Sequence, residues 1–321
     1  MAEQRKLIRL GNSSFAIALP KDWVEKSGLK KGDNIFIEKN SGGELIIQSK
    51  YRKANGEKKI EIDVEGKERE TIKKELAAAY VHGYDAITFK GKKDKIRRYI
   101  IKKLLDNLLS FELVGENDKE LISKDFFNLE DVNLDNFIKR IDNNIREILD
   151  IIKQRIKEGK LTRKDISEIG HAEKDINKFY LLASRLFIKG IDNPAVLNAL
   201  KKDTLSLFNY WWLAFNLEHT GDTLKDIANF IVDEQINKKN LEEIHRLFSK
   251  IIDNYVKAID SSYKLNKEMA LEAMNEGPEL LKECEKLSLS KDSIVAKLGV
   301  KFKEIQYDSY QNSKMILYMK Y

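Results

Sequence analysis

The chain has one cysteine, Cys284, among 321 residues, which excludes an internal disulfide framework and a cysteine-built zinc site. Proline occurs only at Pro20, Pro194 and Pro278, and long stretches lack glycine. That scarcity disfavours a many-turned β fold and favours helices. No apolar run reaches the roughly 18–20 residues that span a bilayer. The opening MAEQRKLIRLGNSS has no apolar signal-peptide core, so the expectation is a soluble cytoplasmic protein. Signatures of common catalytic sites are missing too. There is no P-loop, no Gly-x-Ser-x-Gly, no His-Glu-x-x-His and no dinucleotide fingerprint. The four histidines are scattered, and no enzyme is expected.

What the chain does have is charge and helical periodicity. A formal net charge of +6 permits a nucleic-acid or anionic partner without requiring one. Apolar residues make up 42%, enough for ordinary cores, and the length predicts two or three domains.

Residues 1–50 read β-β-α-β-β. RKLIRL and FAIAL alternate around the turn formers GNSS. PKDWVEKSG carries helix punctuation, and NIFIEK and ELIIQS alternate around SGG. A unit this short buries little core alone, so a second copy is the expected remedy. Residues 51–130 read β-α-β-α-β-β, a small α+β domain. Its basic run over 90–103 reads as the wet face of an amphipathic helix, with nucleic-acid contact the alternative. His82 has no ligand partner at helical spacing and reads as structural.

Residues 131–321 read almost wholly helical, with helices near 133–158, 162–189, 195–236, 239–263, 265–287 and 291–319. The third carries an aliphatic stripe at Leu213, Leu217, Thr220, Leu224, Ile227 and Ile231. Glu218, Asp222 and Asp226 stand one turn apart, within about 80° of each other and nearly opposite that stripe. Like charges at this spacing repel, by roughly 0.2–0.5 kcal/mol per pair. Either the face is solvated, with Lys225 steadying Asp222 and His219 at the surface, or a cation offsets the repulsion. Gly221 would let a neighbouring helix or a metal's oxygen shell approach closely. The last helix repeats the spacing with Glu304 and Asp308, and Asn312 stands where Asp226 stands in the first copy. Two tandem three-helix repeats, about 131–236 and 237–321, would produce such an echo. The fold expected is therefore multidomain and mainly α, with an N-terminal hairpin domain, a small α+β middle domain and C-terminal tandem three-helix bundles.

Two resemblances bear on these zones. RLGNSSFAIALPKDWVEKSGLKKGDNIFIEKNSGGELIIQ resembles the AbrB/MazE/SpoVT swapped-hairpin domains in its G-N-S turn, its "LP" before a short helix, its GLKKGD and its closing strand. This resemblance implies an intertwined β-barrel homodimer and DNA contact through Arg5, Lys6, Arg9, Asn12, Ser13 and Ser14. Some such domains only dimerise or hold a protein partner. LEHTGDTLKDIA and KEIQYDSYQNSKMI resemble the two signature helices of the PhoU family of phosphate-signalling regulators. That resemblance implies multinuclear metal on outer bundle faces, with Glu218, Asp222, Asp226, Glu304, Asp308 and Asn312 as ligands. Glu173, Asp175 and Glu276 would complete the shell, and iron, manganese, magnesium or zinc would be the metal. It also implies a phosphate ABC transporter ATPase as a partner. The chain departs from the family pattern at His219 and Ile305, where arginine is usual, and at Thr223 and Ser309, where histidine is usual. Tyr307 replaces a small residue in the second copy. Together the resemblances imply a phosphate-responsive DNA-binding regulator. The alternative is a protein-interaction module dimerised by its N-terminal domain without DNA contact.

Overall fold

The computed structural model describes residues 3–39, 43–49, 57–91, 95–117, 119–129, 132–159, 161–232 and 238–318. The chain divides into two compact units, 1–56 and 57–321. The expected boundary near residue 50 lies outside the described residues.

The first unit is two separate hairpins flanking one short helix. Strand β1 (Ile8–Leu10) pairs antiparallel with β2 (Ser14–Ala16), Ile8 opposite Ala16 and Leu10 opposite Ser14. Gly11 turns between them at a φ of +71°, a conformation that L side chains rarely adopt. Helix α1 (Lys21–Lys26) follows Pro20, and then β3 (Phe36–Lys39) pairs antiparallel with β4 (Leu45–Gln48). None of the described residues here is buried. Leu7, Ile8, Leu10, Phe15, Ile17, Ile37 and Leu45 all face solvent. The alternation is present, but a single chain supplies no opposite layer to cover it.

The second unit begins with a four-stranded sheet. β5 (Lys59–Asp63), α2 (Arg69–Val81), β6 (Ala86–Lys90), α3 (Lys95–Leu105), β7 (Phe111–Glu116) and β8 (Glu120–Asp125) follow in that order. The strands lie β5-β6-β8-β7, with β5 parallel to β6 across the α2 crossover and the other pairs antiparallel. Ile62, Ile87, Phe89 and Leu121 from the sheet pack with Ile72, Leu76 and Tyr80 of α2 and with Ile101 and Leu104 of α3. His82 ends α2 with an exposed side chain, and its carbonyl accepts from Lys58 Nζ at 2.8 Å.

Among the described residues, seven helices follow: α4 (Leu134–Glu158), α5 (Arg163–Asp192), α6 (Pro194–Leu200), α7 (Thr204–Val232), α8 (Lys238–Tyr263), α9 (Lys267–Ser288) and α10 (Ser293–Tyr318). Their ends carry the expected chemistry. Asn133 and Asn266 cap α4 and α9, Thr162 and Asp165 form a capping box on α5, and Gly159 closes α4 in the left-handed region. The continuous helix expected over 195–236 is instead two. Lys201 takes a left-handed conformation at φ +52°, and Asp203 accepts from the Ser206 amide at 2.7 Å to start α7 afresh. No glycine or proline marks that break.

α4, α5 and α7 pack together, as do α8, α9 and α10, while α7 lies against α10 and α4 against α8. One core runs through both repeats, joining Ile141, Ile176, Leu217 and Leu224 to Phe248, Tyr255, Leu298 and Phe302. At Gly299, α10 lies against the end of α9: a Cβ there would lie 2.4 Å from the Ser288 backbone nitrogen. Among the described residues, no helix is long and apolar enough to cross a membrane.

Candidate functional site

The first hairpin collects the residues expected at DNA. Arg5, Lys6, Arg9, Asn12, Ser13 and Ser14 are all exposed. Asn12 and Ser13 occupy the tip, between β1 and β2, and Arg9 stands opposite Phe15 across the ladder. Arg9 Nε donates to the Gly11 carbonyl at 3.2 Å, which holds its stem along the turn. Arg5 pairs with Glu3 two residues away. Ser14 Oγ donates to the Leu10 carbonyl, closing the turn from within. The hairpin thus presents an amide and hydroxyls at its turn, with the cations Arg5, Lys6 and Arg9 before and within β1, the kinds of group that reach phosphates and base edges.

The acidic spacing on α7 is arranged in depth. The stripe Leu213, Leu217, Thr220, Leu224, Ile227 and Ile231 is buried throughout, while Asp222 and Asp226 are exposed and Glu218 is half-buried. Gly221 faces α5: a Cβ there would meet Ile176 Cδ1 at 3.0 Å, so its place is explained by helix contact. Glu173 of α5 is buried beside this face and accepts from Lys225 Nζ at 2.7 Å and from Asn177 Nδ2 at 2.6 Å. Burial pushes the Glu218 carboxyl up to about 7, helped by the Asp222 charge and opposed by His219. Burial also raises Asp222, and the neighbouring Glu173 adds to it, against the charge of Lys225. Glu173, Glu218 and Asp222 therefore share one acidic neighbourhood. Among the described residues, no three His, Cys, Asp or Glu side chains are grouped so as to hold an ion.

The second copy does not point outward as expected. Asp308 is 5% exposed and lies between α7 and α10, where it accepts from Thr220 Oγ1 at 3.1 Å and bonds His219 Nδ1 at 2.8 Å. Burial pushes its carboxyl up to about 6, and the His219 bond and charge oppose that. Burial works against protonation of His219, yet the Asp308 bond and the charges of Asp308, Glu304 and Glu218 outweigh it and raise the imidazole. Asn312 is also buried; its Oδ1 accepts from Asn216 Nδ2 at 2.9 Å. Lys301 Nζ bridges Asp226 and Glu304 at 3.0 Å each, joining the two copies through a cation of the chain itself. The helical wheel of one helix carries no record of its neighbour. α10 buries Asp308 because α7 offers it Thr220 and His219.

The expected shell is dispersed. Asp175 lies on the α4 side of α5, paired with Lys178 at 3.5 Å, while Glu173 faces α7. Glu276 of α9 is held by Lys257 and by Asn254 Nδ2 at 3.3 Å. Within the basic run, Arg98 pairs with Glu116 at 2.8 Å, and α3 buries Ile101, Leu104 and Leu105. Residues 92–94 lie outside the described residues.

Sequence reasoning passed over Arg185, the largest fully buried side chain among the described residues. It projects from α5 into the sheet layer, donating to the Tyr80 carbonyl and pairing with Asp125, with Asp85 at 3.5 Å. Its guanidinium lies over the rings of Tyr80 and Phe111. A lone arginine inside the apolar run LLASRLFI was the signal for it.

Residues 8–57 match the family described as "Antidote-toxin recognition MazE, bacterial antitoxin". That match falls on the hairpin unit and on one residue beyond it. No curated protein and no solved structure matches the chain.

Proposed function

We propose that this protein is a DNA-binding transcriptional regulator whose hairpin unit pairs with a second copy and whose helical body senses phosphate status. The observation that carries the reading is the hairpin unit itself, with apolar strands, no buried residue among those described, and the exposed cations Arg5, Lys6 and Arg9. A second copy would cover the apolar strands and present two tips to one duplex. The match over residues 8–57 supports the same class.

The phosphate reading rests on the resemblance of the two acidic helices to the PhoU family. The tandem arrangement of α4–α5–α7 and α8–α9–α10 supports it. In this reading the body docks a phosphate transporter's ATPase or a related signalling protein, and no catalysis is assigned to the chain. In the first acidic copy, Glu218 and Asp222 are where a hard cation would relieve repulsion between carboxylates, while nearby Glu173 is already held by Lys225 and Asn177. Iron, manganese, magnesium and zinc all suit such donors. The second copy fits an ion less well, since Lys301, His219 and Thr220 already hold its carboxylates.

A second reading, a dimerised protein-interaction module without DNA contact, is favoured by the occupation of Arg5 by Glu3 and of Arg9 by the Gly11 carbonyl. Two measurements separate the readings. Light scattering should give twice the chain mass, falling on deletion of residues 1–50. The purified protein should then prefer duplex from upstream of its own gene over a scrambled duplex, and Asn12→Ala should reduce that preference. A dimer with no duplex preference would select the second reading.

A further inference from the structure

We propose that the groove between α4 and α5, beside Leu109, binds a small oxyanion-bearing molecule through Arg140. A cavity of about 350 Å³ opens there, lined by Leu109, Arg140, Asn143, Asn144, Asp175, Lys178 and Phe179. That volume sits at the small end of ligand pockets, roughly 300–1,000 Å³, so the occupant is compact.

What sets Arg140 apart is the aromatic platform beneath it in a cavity wall. Arg98, Arg146, Arg155 and Arg185 each hold at least one carboxylate. Arg140 has no carboxylate partner among the described residues and is laid on an aromatic ring instead. Its guanidinium carbon stands 5.1 Å from the centroid of Phe179. Phe179 is 7% exposed and packs on Phe137 at 5.5 Å between ring centroids, so the platform is fixed. Arg140 is exposed, and a guanidinium held over a ring by cation–π attraction still has N–H donors to offer a ligand. Those donors form a planar fork that matches two oxygens of a carboxylate or a phosphate group. Lys178 Nζ supplies a second cation, held loosely by Asp175 at 3.5 Å, and the Asn143 side chain is exposed at the rim. Two cations against one carboxylate leave the groove with a positive balance.

The position gives the site a use. Leu109 belongs to the segment joining α3 to β7, so the groove lies where the sheet layer meets α4 and α5. A ligand seated there would touch both parts of the second unit. The inference does not rest on DNA binding, and either can fail without the other.

Calorimetric titration of the full chain with inorganic phosphate, and separately with succinate, tests it. Saturable binding of at least one anion is expected in the wild type. Arg140→Met, which keeps the apolar contact with Phe179, should weaken it by about tenfold or more, as removal of one charge-assisted bond requires. Phosphate alone or succinate alone would each support the site and identify the oxyanion it takes. Absence of saturable binding of both at about 10 mM, weaker than any useful affinity on this scale, would overturn it. Equal affinity in Arg140→Met would overturn it too. Should that variant lose its helical circular dichroism, Lys178→Met replaces it, with weakening again expected and equal affinity again fatal to the proposal.

Discussion

Replacing Arg185 by methionine should detach the sheet layer from the helices before it disturbs either part alone. The guanidinium is 1% exposed and is bonded to the Tyr80 carbonyl and to Asp125. Methionine keeps most of the volume and the apolar stem but removes every donor. Asp85 retains Lys189 at 2.8 Å, so it is not stranded. Asp125 retains Ser110 Oγ at 2.6 Å and the Phe127 amide at 3.0 Å, yet it loses its cation. Removing one member of a buried pair costs about 3–5 kcal/mol. Both of those donors reach Oδ1, whereas Arg185 holds Oδ2, so the cost should be at least about 3 kcal/mol, or roughly 150-fold in the unfolding equilibrium. Urea denaturation should show a lower midpoint and a shallower apparent slope, because the sheet layer leaves before the helices and the transition is no longer two-state. Hydrogen exchange should speed up in α2 and β8 more than in α8 and α9. Asp125→Asn in the Arg185→Met background should cost far less than in the wild type, since the two residues share one interaction. A destabilisation under about 1 kcal/mol, or additive effects in the double variant, would refute the clamp.

The contact between the two acidic copies should make stability depend on pH. Asp308 titrates near 6 in the fold, above its ordinary value. Its contribution is therefore full below the ordinary carboxylate range and fades as pH rises toward that raised value. His219, also raised, contributes below its ordinary value and loses that contribution as pH climbs further. Measured against Asp308→Asn, wild type should lose on the order of 2–3 kcal/mol of stability between about pH 3.5 and pH 7. An unchanged difference between wild type and variant across that range would exclude Asp308 as a source of pH dependence. For the first copy, Asp222→Asn should lower the iron, manganese or zinc retained after loading and remove the metal-linked rise in melting temperature. If the change merely relieves repulsion and leaves metal content unaltered, Asp222 belongs to a solvated face.

Much of this architecture was legible along the chain because local chemistry sets it. β5, α2, β6, α3, β7 and β8 were read in order from alternation and from Gly83, which ends α2 at a φ of +78°. The buried stripe from Leu213 to Ile231 followed from spacing alone. The break before α7 was not legible because Lys201, an ordinary residue, takes the left-handed turn. The burial of Asp308 was hidden for a different reason. Its partners, Thr220 and His219, lie 88 and 89 residues away, and a wheel drawn on one helix cannot include them. Arg185 was obscured in the same way, with Tyr80 and Asp125 supplied by the sheet layer. Asn12 and Ser13 were the easiest to place, since both lie in the three-residue turn between β1 and β2.

The most direct test compares the full chain with residues 57–321, a compact unit by itself, on duplex from upstream of the gene across a salt series. The full chain should bind, with affinity falling steeply as salt rises. Residues 57–321 should not, and Arg9→Ala should reduce the magnitude of the salt slope by about 0.9 for each phosphate that Arg9 neutralises. Equal binding by residues 57–321, or a full chain whose affinity and slope are indifferent to Arg9, would contradict the assignment of DNA contact to the first hairpin.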